Sequence, residues 1–297
     1  MKVTPLSPVI GAEVVGLNLA DGVDDALFAR LHRGFLTYGV LVFRAQERLA
    51  PETQVAFARR FGALHRHPAA PGLGTDPHVF VVHTHAKSQI ANGNGWHTDV
   101  SCEPEPPLAT ILQMHVLPPS GGGDTLFASM EAAYRAFSLP VRQFLSGLRA
   151  AHESEHVYRG RYADRGVVDD DREDYPMAVH PVIRTHPETG RQSVYVNRGF
   201  TTRIVDVSPA ESQAILRWIF SHLEQAEFQI RVTWHESDVV IWDNRCVQHY
   251  AMWDYWPEER CGHRVSIKGD APFYRPGVEP PPPTLHFSHD GLTSRYL

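Results

Sequence analysis

The chain has 297 residues, 42% hydrophobic and 21% charged, with a net charge of -6 when histidines are neutral. That balance supports a packed core and excludes wholesale disorder, and the lack of a Lys/Arg-rich block argues against general nucleic-acid binding. No apolar run approaches the ~18 residues needed to span a bilayer, the opening Met1 to Pro5 lacks a signal peptide's long apolar segment, and the three cysteines (Cys102, Cys246, Cys261) form no CxxC pair, so a cytoplasmic protein with reduced thiols and no membrane partner is expected.

In chain order, Asp25 to Tyr38 reads as a helix with Leu27, Leu31 and Phe35 inward, and Gly39 to Phe43 as a buried strand. A second helix starts at Pro51 and turns Val55 and Phe61 inward. Thr110 to Val116 reads as a strand, Pro118 to Asp124 as a glycine-rich loop, and Ser129 to Phe137 and Leu139 to Leu148 as helices. Residues 159–175, rich in Arg and Asp, fit either a solvated loop or a lid over a site. Gln192 to Asn197 resembles a strand. Ser208 to Glu211 is a capping box, opening a helix with Ile215, Trp218, Ile219 and Leu223 on one face. Phe228, Ile230, Val232 and Trp234 alternate as in a half-buried strand; Asp238 to Asp243 and Arg260 to Lys268 give two more. A proline-rich tail, about 276–297, closes the chain. The pattern predicts one domain over 1–297, mainly β with flanking helices around a double-stranded β-helix (jelly-roll, cupin-like) core.

His97-Thr98-Asp99 carries the first chemical signal. On a strand, residues i and i+2 share a face, so His97 and Asp99 can share one metal. His222-Leu223-Glu224 in a helix and His186-Pro187-Glu188 in a turn do not offer such a face. With His249 as third ligand, the set leaves open positions of the kind non-haem Fe(II) oxygenases use. Arg260 and Arg264, four apart on a strand, project to one face and suit anions. A zinc hydrolase or a non-catalytic jelly-roll binding protein fits the same ligands.

Trp96 to Val100, Gly122-Gly123-Asp124-Thr125, Trp242 to Arg245 with His249, Asp254-Tyr255, Arg260, Arg264 and Gly269-Asp270 occur in an order that resembles the Fe(II)/2-oxoglutarate dioxygenases of the taurine dioxygenase family. Ile10 to Val14, His180 to Val182, Arg184 to Gly190 and Gly199 to Ser208 are similar to that family too. The resemblance implies Fe(II) on His97, Asp99 and His249, which are then the catalytic residues. It implies 2-oxoglutarate on Arg260 and Thr125, with O2 as the other co-substrate. It places a small anionic, sulfonate-like substrate against His67, Val100, Tyr158, Phe200 and Arg264. The activity implied is hydroxylation of the carbon next to the sulfonate of taurine or a related alkylsulfonate, releasing sulfite, an aldehyde, succinate and CO2. An alkyl sulfate ester or a carboxylate such as a phenoxy acid is the alternative substrate, and a dimer or tetramer is the implied assembly. Ala70, Gly93 and Tyr158 depart from the taurine pattern: the first two lose polar contacts and the third gains a hydroxyl.

Overall fold

Val40–Phe43 and Val239–Asp243 are buried at every position, because each lies in a sheet covered on both faces. Alternate side chains serve different cores. Val40, Val42, Val240 and Trp242 belong to the interior cluster, while Leu41, Phe43, Val239 and Ile241 pack outward under helices. The computed structural model describes residues 1–162 and 175–277; most of the expected lid (163–174) and of the expected tail (278–297) lie outside them.

The larger sheet runs Lys2–Pro5, Ala12–Val15, Val40–Phe43, Val239–Asp243, Ala109–Val116, Arg260–Ile267 and Leu64–His65, with Val79–Thr84 also paired to Arg260–Ile267. Its pairs are antiparallel except Ala12–Val15 with Val40–Phe43. A smaller sheet joins Gln229–Val232, Thr125–Ser129 and Val247–Ala251. Phe127, Val232 and Val247 of the smaller sheet share the interior cluster with Leu112, Met114 and Phe80 of the larger. Two sheets closed over one apolar interior, with helices outside, make the expected jelly roll.

The helices form where the sequence reading puts them. Asp24 caps Asp25–Tyr38 by accepting from Leu27 N–H, and Gly39 ends it in the left-handed region at φ 69°. Pro51–Arg59 opens on its proline and buries Val55 and Phe57 beside Leu31 and Phe35 on the outer face of the larger sheet. Pro209–Leu223 carries the full capping box between Ser208 and Glu211, and with Met130–Ala136 covers the smaller sheet's outer side.

Four local expectations are corrected. The buried stripe of Pro209–Leu223 runs through Ser212, Leu216, Ile219, Phe220 and Leu223. Docking on Ala128, Ile204 and Phe228 turns the helix, so that Trp218 sits at the rim, 44% exposed, its ring 5.1 Å from that of Phe137. Phe228 closes a 3-10 turn, Ala226–Phe228, and the strand covers only Gln229–Val232; Trp234 is buried beyond its end. The strand expected over 192–197 stops at Val194, because Asn197 turns the chain by accepting from Phe200 N–H through its side chain and Thr201 N–H through its carbonyl. Phe61 lies past the end of its helix, half-buried and edge-on to Phe57.

Arg260–Ile267 is the strand on which the site depends. It keeps one register with Val79–Thr84, but shifts between Cys261 and Gly262 against Ala109–Val116. The two backbones come so close there that a Cβ on Gly262 would lie 2.4 Å from the Gln113 carbonyl oxygen. Gly262→Ala is expected to destabilise the fold by about 1–3 kcal/mol through overpacking, read as a lower urea midpoint with an unchanged slope.

Candidate active site

The main chains of His97 and His249 form an isolated antiparallel bridge. His97 N–H donates to the His249 carbonyl at 3.0 Å, and His249 N–H returns a bond of 2.8 Å. This corrects the expectation that a strand pleat aligns His97 with Asp99. His97 is a single bridged residue, and Asp99 lies in the turn that follows. Val100 completes that turn at φ 49°, a costly conformation for a β-branched residue, on the order of 1–3 kcal/mol. Its carbonyl accepts from Glu103 N–H at 3.1 Å, which closes the turn.

One ligand atom each from His97, Asp99 and His249 lie within 4.8 Å of one another. Both imidazole Nε2 atoms stand 3.9 Å from Asp99 Oδ1. His97 Nδ1 donates to the Gly95 carbonyl at 2.8 Å, which leaves the Nε2 lone pair for a metal. Thr98 points away, its hydroxyl bonded to the Asn244 carbonyl at 2.8 Å. Asp99 Oδ2 accepts from the Thr110 hydroxyl at 2.6 Å; that hydroxyl accepts from Asn244 Nδ2, and Trp242 Nε1 donates to Asn244 Oδ1. The carboxylate is thus oriented by a buried relay of three side chains.

Charge states match ligation. Burial pushes the pKa values of His97 and His249 down, so both rings favour the neutral form. Burial alone would raise the Asp99 carboxyl; the Arg264 guanidinium, with the Thr110 hydroxyl, opposes it and holds the group below the usual carboxylate range. Two neutral imidazoles and a carboxylate bind a divalent metal without first losing protons. A second cluster, His186, Asp243 and Cys246, lacks this freedom. His186 Nε2 bonds Asp243 at 3.0 Å, its Nδ1 accepts two backbone N–H groups, and Asp243 grips Arg245 with both oxygens.

His67, His97, Asp99, Val100, Thr125, Tyr158, Phe200, His249, Arg260 and Arg264 all border one cavity of about 350 Å³, as does Gly93, whereas Ala70 is not among its lining residues. Arg260 is 3% exposed, and its Nε and Nη2 carry no hydrogen bond. Burial pulls its pKa down, so the site holds a desolvated cation with unmet donors, which fits a carboxylate. Its stem passes so close beneath the glycine loop that a Cβ on Gly123 would sit 2.9 Å from Arg260 Cδ. Thr125 also faces the cavity, its hydroxyl accepting from Trp234 Nε1 at 3.0 Å.

Arg264 bonds Asp99 Oδ1 at 3.0 Å, stacks over Phe80 at 4.6 Å, and keeps a buried Nε without a partner. His67 Nδ1 accepts the N–H groups of Ala69 and Ala70, so its proton sits on Nε2 as a donor. Tyr158, Tyr162 and Phe80 pack around that ring, and Phe200 stands 5.9 Å from Tyr158. The sequence reading assigned no role to Phe80, Tyr162, Thr110, Asn244 or Trp234. Asn244 lay inside a quoted motif. Phe80 was detectable only through the strand register that sets it opposite Arg264.

Comparison with known proteins agrees with this geometry. The family described as "Taurine catabolism dioxygenase TauD, TfdA family" matches residues 2–266. An alpha-ketoglutarate-dependent sulfonate dioxygenase of Saccharomyces cerevisiae is 33% identical over 92% of this chain and 68% of its own length. An alpha-ketoglutarate-dependent sulfate ester dioxygenase of Pseudomonas putida is 32% identical over 92% of this chain and 91% of its own. The crystal structure of a taurine dioxygenase from Burkholderia xenovorans superposes with a TM-score of 0.77 at 33% identity, covering 91% of this chain and 92% of that one.

Thr110→Val removes the hydroxyl that orients Asp99 and preserves the side chain's shape. It is expected to weaken Fe(II) binding about 10- to 100-fold, measured by anaerobic metal titration, with the thermal midpoint as the control for folding.

Proposed function

The chain belongs to the TauD/TfdA family of alpha-ketoglutarate-dependent dioxygenases, and on that footing we propose that it hydroxylates the carbon next to the sulfonate of an alkylsulfonate whose other end is uncharged. Enzymes of this family use Fe(II), 2-oxoglutarate and O2. The reaction consumes one O2 and one 2-oxoglutarate, and gives succinate, CO2 and a hydroxylated sulfonate that breaks down to an aldehyde and sulfite.

His97, Asp99 and His249 would hold the iron, and Thr110 and Asn244 orient the carboxylate among them. The iron, when bound, supplies the oxidising chemistry, so no side chain is needed as a nucleophile. Arg260 and Thr125 bind the distal carboxylate of 2-oxoglutarate. Arg264 and His67 donate to the sulfonate oxygens. Val100 and Phe200 press on the carbon chain and, with the rings around His67, keep water away from the reacting carbon.

The charge of the cavity wall supports an uncharged far end. Among the described residues that line it stand the cations Arg161, Arg198, Arg260 and Arg264, and the single carboxylate is Asp99, already bonded to Arg264. Among these described lining residues the ammonium of taurine would find cations and no free acid to meet it. Ala70 and Gly93 occupy positions where a taurine site is expected to offer polar contacts. A sulfate ester presents the same anion and differs by one bridging oxygen, and the name of the Pseudomonas putida relative favours it as the second reading.

The test is succinate, sulfite and sulfate release across taurine, hexane-1-sulfonate, hexyl sulfate and a phenoxy acid. Hexane-1-sulfonate is expected to exceed taurine in kcat/KM by about 100-fold, the scale of an unpartnered buried ammonium. Sulfate without sulfite would establish the ester reading, and turnover of the phenoxy acid alone would overturn both. Arg264→Ala is expected to cost about 100-fold in kcat/KM for the sulfonate, with Arg264→Lys recovering part of it.

A further inference from the structure

Trp234 is a buried side chain with a polar atom that the mechanism leaves unused. It lies past the end of Gln229–Val232, is 5% exposed, and points its indole N–H at Thr125 Oγ1, 3.0 Å away. The sheet makes this meeting possible, because Val232 pairs with Thr125 across the smaller sheet and Trp234 follows two residues later. The same indole ring lies 5.8 Å from the Arg260 guanidinium carbon. One side chain thus touches both groups read as the carboxylate site for 2-oxoglutarate.

We infer that Trp234 is a positioning residue that fixes the direction of the Thr125 hydroxyl, making that end of the cavity selective for an ionised carboxylate over the corresponding amide. This rests on the reading of Arg260 and Thr125 as the co-substrate's carboxylate site. An indole nitrogen can only donate, whereas a threonine hydroxyl has one proton and two lone pairs. When the indole occupies a lone pair, the hydroxyl's own proton must point elsewhere. Among the described residues Thr125 Oγ1 makes no other hydrogen bond, and its residue faces the cavity beside the unmet Nε and Nη2 donors of Arg260. The ligand therefore meets donors from both residues. A carboxylate accepts from all of them. A primary amide has one accepting oxygen, and for Thr125 to accept from its NH2 group the hydroxyl must turn its own proton to the one direction left, where no acceptor stands among the described residues. Without the indole N–H, the hydroxyl proton can also turn to the side the indole held, and Thr125 accepts from that NH2 at lower cost.

The experiment compares 2-oxoglutarate with its 5-amide, 2-oxoglutaramate. Both are titrated calorimetrically into Fe(II)-loaded protein without oxygen. Loss of charge weakens the amide in every variant, so the acid-to-amide affinity ratio isolates the hydroxyl's direction. Trp234→Phe is expected to lower that ratio about tenfold, the scale of one hydrogen bond to a charged group. In a Thr125→Val background the same substitution is expected to leave the ratio unchanged. Replacing Trp234 with 3-benzothienylalanine keeps the ring's shape and removes only the N–H; it gives the same answer if the phenylalanine variant folds poorly. A ratio unmoved in the benzothienyl protein, or a shift that persists in Thr125→Val, overturns the assignment to Trp234. If Arg260→Ala and Thr125→Val both leave 2-oxoglutarate affinity unchanged, the underlying carboxylate site is wrong instead.

Discussion

Two main-chain hydrogen bonds between His97 and His249 are the constraint on which the site rests. They tie a loop of irregular backbone to the end strand of the smaller sheet. Side-chain packing alone would leave that loop several torsions of freedom. A reciprocal backbone bridge removes most of them, and the imidazoles then lie 4.1 Å apart between centroids, with no third element needed to align them. Asp99 arrives by the turn at Val100, whose left-handed backbone is strained. The strain persists because both sides of the turn are fixed, by the His97–His249 bridge before it and by the Val100–Glu103 bond after it.

Charge in the interior follows from this arrangement. A carboxylate so deeply buried is stable only when it is paired and hydrogen-bonded. Asp99 has Arg264 on one oxygen and Thr110 on the other. Arg260, by contrast, is buried with donors unmet. Protein charges thus neutralise one another around Asp99, while Arg260 Nε and Nη2, and to a lesser extent Arg264 through its Nε, keep donors without a partner. The difference is the ground on which Arg260 is proposed as the co-substrate anchor; on the same proposal Arg264 would share its guanidinium between Asp99 and a substrate.

Much of this was legible in the sequence because the relevant signals are local. Capping boxes, a proline at a helix start, alternating apolar strands and a His-x-Asp triplet depend on a few neighbouring residues, and the family-like order of motifs linked them. What was not legible depends on register. The HxD geometry was assigned to a pleat and proved to be a bridge and a turn. The stripe of Pro209–Leu223 shifted because a docking surface, rather than periodicity, decides which of two adjacent faces is covered. Thr110, Asn244, Phe80 and Trp234 are ordinary strand or strand-end residues until pairing sets them against Asp99, Arg264 and Thr125.

The spacing of the two arginines turns one strand into a ruler. Four residues of extended chain separate Arg260 from Arg264, roughly 13 Å along the backbone. Both lie opposite one continuous partner, Thr84 and Phe80 on Val79–Thr84, so the shift at Gly262 does not rotate one away from the other. The metal ligands border the same cavity as both guanidinium groups. On the proposed reading, one strand would set the distance between a 2-oxo acid at Arg260 and a substrate anion at Arg264, rather than flexible loops. On that reading, substrate choice would be left to the other cavity walls, among them Gly93 and the rings around His67. Such a division would let the same chemistry act on substrates with different tails.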